Sequence, residues 1–329
     1  MTGIARRWFG FTTLLLVCMT VSCSGAAAAG ESDGYTISVS QFIQHPALDA
    51  LLRGFMEQMR DSRLPVQYNV HIANGDAALN REIARRISTE NPNLVLAIST
   101  PSAQACLKDL PDKTILFSAV TDPVAAGLVE SLDKAGLRIT GMTDMSPIER
   151  QLKLMMVLLP NLKTIGMIYN PSESNSVSLV KIMEEECTRQ NLKLLKKTVA
   201  GEEAVAPAAE SLVGNCEAVY VPADNTVVAA IEAAARVCGK HRLPLFAADV
   251  DSVPRGAIAT LAIDYYGMGR QTARMAERLL KGEAAAAMPI ESLQDLRIHV
   301  NTRAAAVMGV DLPVDLLQSA DVIYDSFPQ

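Results

Sequence analysis

Short apolar runs alternate with amphipathic stretches along most of the chain, and five of the runs stop in a small polar cluster. Leu94–Ile98 leads into Ser99-Thr100-Pro101, and Ile115–Val120 into Thr121-Asp122-Pro123. Thr164–Tyr169 leads into Asn170-Pro171-Ser172-Glu173-Ser174-Asn175-Ser176. Ala218–Val221 leads into Pro222-Ala223-Asp224-Asn225, and Leu245–Ala248 into Asp249. The runs are short, β-branched and bounded by helical patterns, which predicts strands of a buried parallel sheet. In an open α/β sheet the carboxyl ends of the strands face the ligand crevice. Polar endings in both halves of the chain therefore predict one cleft lined from two sides.

The rest of the pattern fits that frame. Strands are predicted at 35–39, 66–72, 94–98, 115–120 and 137–142, with helices near 46–58 and 76–90 and a third starting at 102. Ala77, Leu79, Ile83 and Ile87 have helical spacing within the second of these. A helix at 148–159 restarts the alternation. Strands follow at 164–169, 192–199, 218–221, 244–248 and 257–263, with helices at 175–190, 202–212 and 226–238. A long helix near 269–280 and a strand at 297–301 read as extra crossings between the halves. The expected fold is α/β, two doubly wound Rossmann-like lobes joined by a three-segment hinge. Residues 35–143 plus about 267–295 would form one lobe, and 144–265 plus about 296–329 the other. A length of 329 residues suits two domains.

The first thirty residues break the pattern. Arg6 and Arg7 precede the apolar run Phe9–Val21, which ends in small residues, as in an export signal. Two cleavage sites compete. Val21-Ser22-Cys23 resembles a lipoprotein box that would lipidate Cys23, although Thr20 stands where that pattern prefers Leu. Ala27-Ala28-Ala29 suits ordinary signal peptidase. Residues 1–22 would be the signal in the first case, with cleavage near 29 in the second. A lipidated Cys23 would anchor the protein at a membrane face; otherwise it would be a soluble periplasmic protein.

Losing Arg6 and Arg7 leaves 28 basic against 36 acidic residues. A mature chain of that charge has no basic footprint for nucleic acid. Cys106, Cys187, Cys216 and Cys238 show no C-x-x-C spacing, so no metal site is expected. Cys216 and Cys238 could be neighbours forming a disulfide, with four buried thiols as the alternative. The sequence has no G-x-S-x-G, H-E-x-x-H, P-loop or G-x-G-x-x-G after a strand, and its acids have no nearby histidine base. Neither catalysis nor a cofactor is expected.

The polar endings resemble one family, the exported ABC-transporter substrate-binding proteins that include tryptophan- and phenylalanine-binding members. The resemblance rests on Ser38-Val39-Ser40-Gln41, His45-Pro46-Ala47-Leu48-Asp49, Thr100-Pro101 and Thr121-Asp122-Pro123-Val124. It continues through Asn170-Pro171-Ser172-Glu173, Asn175-Ser176, Asp224-Asn225-Thr226, Asp251-Ser252-Val253, Arg255-Gly256-Ala257, Asp264-Tyr265-Tyr266 and Gly269-Arg270-Gln271-Thr272-Ala273. It implies a type I periplasmic-binding fold, one small ligand between the lobes, and an ABC permease with its cytoplasmic ATPase as partner. A monomer is expected. An amino acid, with a bias towards an aromatic one, is the implied ligand. A receptor feeding a signalling partner, or one for another small solute, is the alternative; a transcriptional regulator on this fold would need a DNA-binding segment where the export signal stands.

An amino acid needs acceptors for its ammonium and donors for its carboxylate. Ser40, Ser99 and Thr100 offer hydroxyls before helix starts, where free N–H groups also attract anions. Asp122, Asp224 and Asp249 are candidate ammonium acceptors. Gln41, Glu173, Asn175, Ser176, Asn225 and Tyr265 complete the candidate site. Thr100, Asp122, Asn175, Ser176 and Asp224 could equally cap helices, and capping is compatible with binding. His45 reads as a loop residue and Arg255-Gly256 as a turn. Phe42, Phe117, Tyr169, Tyr220, Phe246, Tyr265 and Tyr266 are the aromatics available for a side-chain pocket.

Overall fold

Leu96, Phe117 and Ile139 on one side, and Ile165, Val219 and Phe246 on the other, mark two separate strand-centred cores in the computed structural model. The structure describes residues 1–3 and 34–329; the predicted export signal, with Cys18 and Cys23, lies outside the described residues. The first half contains β1 (Tyr35–Gln41), α1 (Pro46–Asp61), β2 (Val66–Ile72), α2 (Ala77–Glu90), β3 (Leu94–Ile98), α3 (Thr100–Asp109), β4 (Ile115–Ser118) and β5 (Ile139–Thr143). Then come α4 (Ile148–Leu158), β6 (Thr164–Tyr169), α5 (Ser174–Arg189), β7 (Lys193–Thr198), α6 (Val205–Glu210) and β8 (Ala218–Val221). They are followed by α7 (Asn225–Ala229), α8 (Ile231–His241), β9 (Leu245–Ala247), β10 (Ala259–Ile263) and α9 (Tyr265–Leu280). The chain ends with β11 (Glu291–Ser292), β12 (Leu296–Asn301), α10 (Thr302–Met308), α11 (Val314–Ser319) and β13 (Val322–Tyr324).

The first sheet has the order β11-β5-β4-β3-β1-β2, with every neighbouring pair parallel. Its registers bring the strand ends level: Gln41 pairs with Ile98, and Ile98 with Ser118. The second sheet is a parallel β7-β6-β8-β9 arrangement. Beside it, β10 pairs antiparallel with β12, which pairs parallel with β13. Ile258 N donates to Leu245 O at 2.8 Å and Thr260 Oγ1 to Ala247 O at 2.7 Å, which attaches this group to β9. The chain passes between the two cores at Asp144–Pro147, at Asp264 and at 293–295. Among the described residues no helix is long and apolar enough to cross a membrane.

Helix α1 shows how sequence becomes packing. Leu48, Leu51, Phe55 and Met59 form its buried stripe at helical spacing. Pro46 starts it, and His45 Nδ1 accepts from Leu48 N at 3.5 Å as its cap. The helix lies against α9 with very little clearance. A Cβ on Gly269 would land on the Leu51 carbonyl oxygen, and one on Gly54 would land on that of Tyr266.

Several boundaries depart from the sequence reading. The strand expected at 115–120 stops at Ser118, and Ala119 takes φ +55°. The single helix expected at 226–238 is two, α7 and α8. Arg255 draws off the carbonyls at the end of α7, donating to Val228 O at 2.7 Å and Ala229 O at 2.9 Å. Those carbonyls would otherwise serve the next helical turn. The helix expected near 269 begins four residues earlier, because Asp264 caps it by accepting from Tyr266 N at 3.0 Å. Cys216 and Cys238 are buried free thiols with no disulfide between them, like Cys106 and Cys187.

Candidate functional site

A narrow cavity of ≈ 20 Å³ opens between the two sheets, walled by strand ends and helix starts from both halves. From the first half come His45, Ala47 and Leu48 at the start of α1, Ala119 and Thr121 after β4, and Asp144 after β5. The second half supplies Asn175 on α5, then Ala223, Asp224, Asn225 and Val228 around α7, and Asp249 after β9. Tyr265, the first residue of α9, closes the ring.

Three buried carboxylates face this cavity. Asp144 accepts from Thr121 Oγ1 at 3.0 Å and from Tyr265 O–H at 2.6 Å. Asp249 accepts from Ser252 N at 2.8 Å and Ser252 Oγ at 2.6 Å. Asp224 accepts from Asn170 N at 2.6 Å and Ser176 Oγ at 2.7 Å, and caps α7 through Val227 N at 2.9 Å. Burial raises the pKa of all three, and the nearby Glu173 charge adds to the rise at Asp224. Behind them, Asp251 is pushed up to about 7, first by burial and then by Asp249 and Asp264. Burial, then the charge of Arg255, lowers His45 to about 3, so its imidazole is neutral. With Nδ1 accepting from Leu48 N, the ring proton belongs on Nε2.

Asn175 is the most informative wall residue. It is 3% exposed, and its Nδ2 donates to Ala223 O at 2.8 Å, which fixes the amide's orientation. Its Oδ1 has no hydrogen-bond partner among the described residues. A buried unpaired acceptor costs about 1–3 kcal/mol, so a donor that entered the cavity beside Asn175 Oδ1 would be stabilised there.

The sequence candidates fall into three groups. Asn175, Asp224, Asn225, Asp249 and Tyr265 line the cavity. Glu173 and Ser176 sit behind the wall and brace it. The Glu173 carboxylate accepts from Asn225 N at 3.0 Å, Thr226 N at 3.0 Å and Thr226 Oγ1 at 2.8 Å. Ser40, Gln41, Ser99, Thr100 and Asp122 are not on the wall. Ser40 lies beside Cys106, and Gln41 Nε2 donates to Asp49 Oδ1 and Ile43 O, both at 3.0 Å. Asp122 caps a turn, accepting from Ala125 N at 2.9 Å. Ser99 and Thr100 start α3, both buried with their hydroxyls unpaired among the described residues, and Ser99 takes φ +83°.

The sequence reading missed Asp144 as a wall residue and placed His45 in a loop away from the ligand. The signal for Asp144 was present, since Thr143-Asp144 is a further strand ending of the same polar kind. His45 was hidden by Pro46, because His-Pro reads as a turn until the helix behind it is seen.

An acid with a raised folded-state pKa holds a proton that the unfolded chain has already lost. Stability therefore rises as pH falls from that pKa towards the unfolded value. For Asp251 the window runs from about 7 down to 3.8. His45 opposes this only below pH 6.5, where the unfolded imidazole charges and the folded one stays neutral. The unliganded protein is thus expected to gain melting temperature as pH is lowered from 8 to 6.5. A flat or falling Tm across that interval would contradict the buried-acid arrangement.

Residues 36–323 match the family model described as ABC transporter substrate binding protein. A tyrosine-binding protein from Clostridioides difficile (strain R20291) is 34% identical over 301 residues, covering 88% of this chain and 87% of that protein. The structure of an ABC domain in complex with L-Trp from Streptococcus pneumonia superposes with a TM-score of 0.85 at 27% identity, covering 88% of this chain and 99% of the other. The ligand-free, open structure of a substrate-binding protein with adhesive properties from Clostridium difficile gives a TM-score of 0.68 at 32% identity, covering 89% and 100%.

Proposed function

The chain belongs to the ABC transporter substrate-binding protein family, and we propose that it captures an aromatic amino acid between two closing lobes and delivers it to a permease driven by a cytoplasmic ATPase. The observation that carries this reading is the cavity wall itself, where the orphaned Asn175 Oδ1 stands with the carboxylates of Asp144, Asp224 and Asp249. A ligand ammonium supplies the missing donor and the charge those carboxylates need. The names of the relatives, one tyrosine-binding and one crystallised with L-Trp, supply the aromatic class. Ala47, Ala119 and Ala223 put short side chains on the wall, and Tyr265 offers an aromatic neighbour to a ring that enters as the lobes open. The ligand carboxylate meets neutral groups at the start of α1, where the His45 ring is held by Leu48 N and by the Asn225 side chain.

The working motion is rotation about the three crossings at 144–147, 264 and 293–295. A closed arrangement is supported by Gln104 on α3, whose Nε2 donates to Ser174 Oγ on α5 at 3.3 Å across the cleft mouth. The higher TM-score against the L-Trp complex than against the open, ligand-free relative agrees with this. The role is non-catalytic. It is exercised outside the cytoplasmic membrane by a monomer, either freely soluble or held there through a lipid on Cys23.

A thermal-shift panel of the amino acids, small amides and nucleosides tests the reading. Tyrosine, phenylalanine or tryptophan is expected to raise Tm by several degrees, since saturating ligand at a hundred times Kd contributes about 2.7 kcal/mol. A shift produced only by nucleosides or sugars would overturn the assignment. Asp224→Asn is expected to weaken binding about tenfold or more through loss of one charge-assisted contact. Asp122→Ala, which alters a turn away from the wall, is expected to leave the affinity within about twofold. Calorimetric titration of both variants separates these outcomes.

A further inference from the structure

The charges around the cavity are lopsided in a way that bears on ligand class. Asp144, Asp224 and Asp249 face it, with the unpaired Asn175 Oδ1 beside them, and all four are acceptors with exposures of 5% or less. Among the described residues no Lys or Arg lines the cavity. The guanidinium of Arg255, whose charge reaches His45 and Asp249, is already spent: Nε donates to Glu232 Oε1 at 2.6 Å, Nη1 to Val228 O, and Nη2 to Ala229 O and Glu232 Oε2. His45 is neutral. A ligand carboxylate therefore meets only neutral donors, with three carboxylates nearby that oppose it. A ligand ammonium meets every strong group in the wall.

On the reading of the site given above, we infer that this receptor recognises the ammonium first and accepts aromatic monoamines that lack the carboxylate. Such amines have the same ring and ammonium as the amino acids without the anion that the wall does little to hold. The converse compounds, arylpropanoates with a carboxylate and no ammonium, bring a further carboxylate into a cleft already lined by three acids and leave Asn175 Oδ1 unpaired. The site excludes them.

Isothermal titration of the purified protein with L-tyrosine, tyramine and 3-(4-hydroxyphenyl)propanoate tests this at pH 7.5. Tyramine is expected to bind within about tenfold of tyrosine, and the propanoate at least about a hundredfold more weakly than tyramine, the difference of one to two charge-assisted contacts. Asn175→Ala is expected to weaken tyramine about tenfold, with circular dichroism reporting whether the variant folds. The comparison of ligands on the native protein stands whether or not it does. Tyrosine binding without tyramine binding overturns the ammonium-first inference and leaves the amino-acid reading intact. Propanoate binding as tight as that of tyramine overturns it as well. No binding by tyrosine, phenylalanine, tryptophan or tyramine overturns both.

Discussion

Glu173→Ala is expected to lower stability by about 3 kcal/mol or more and to weaken ligand binding at least about tenfold. The side chain is 2% exposed and holds the start of α7 from a different strand-to-helix turn. Besides the three bonds already given, Asn225 Nδ2 donates to Glu173 Oε2 at 2.5 Å. Truncation strands two backbone N–H groups and two side-chain donors in a buried place, and the cost of such orphans exceeds the worth of the bonds themselves. It also frees Asn225 and weakens one of the contacts that keep Asn175 Nδ2 in place. Both residues face the cavity, so the affinity falls with the stability. In a protein of this size the loss corresponds to a Tm about 6 °C lower. Glu173→Gln retains one good acceptor and sets an N–H₂ against donors, so it should fall between the wild type and Glu173→Ala. A Glu173→Ala variant with unchanged Tm and affinity would show that α7 does not depend on this brace.

The second large effect is expected at the α1–α9 contact. Gly269→Ala puts a methyl group onto the Leu51 carbonyl oxygen, where backbone, unlike a flexible side-chain end, cannot give way. Overpacking of this kind costs about 1–3 kcal/mol, and the upper end applies because two helices must separate. Leu51 and Phe55 lose contact with the sheet when they do. Gly54→Ala meets the Tyr266 carbonyl oxygen from the other side and should behave alike. The double variant is expected to cost less than the sum of the singles, since one separation relieves both clashes. Denaturant titration of the three variants measures this, and full additivity would refute a shared cause.

The fold was legible because its strands announce themselves. Buried on both faces, runs such as Leu94–Ile98 and Ala218–Val221 carry no polar residue until they reach the cleft end. The two α/β halves followed from the order of elements. Among the sequence candidates on the cavity wall, Asp224 combines capping with lining, accepting from both Val227 N and Ser176 Oγ. Asp122 and Asp144 look alike in sequence, each following a strand and a Thr. Only the fold separates them, because Asp144 sits on a segment crossing between the sheets while Asp122 turns outward. Glu173 was recognisable as polar, but its partners lie some fifty residues away and no local pattern names them. Helix α9 starts ahead of both Gly267 and Gly269 because Asp264 caps it there, and Gly269 leaves space for the Leu51 carbonyl it must touch.

The three crossings also govern the order in which this protein can be built. Helix α9 covers α1 and is tied to β4 through Thr272 Oγ1 and Ser118 Oγ at 2.8 Å, yet it is made after almost the whole of the other half. The glycine face of α1 stays bare until residue 280 is available. The half that leaves the ribosome first therefore cannot be the half that folds first to completion. A chain cut short before α9 keeps all of β1 to β4 and still lacks the helix that seals them. The first core thus stays unfinished through most of synthesis, and the last seventy residues, which contribute to both cores, let the two halves become stable together.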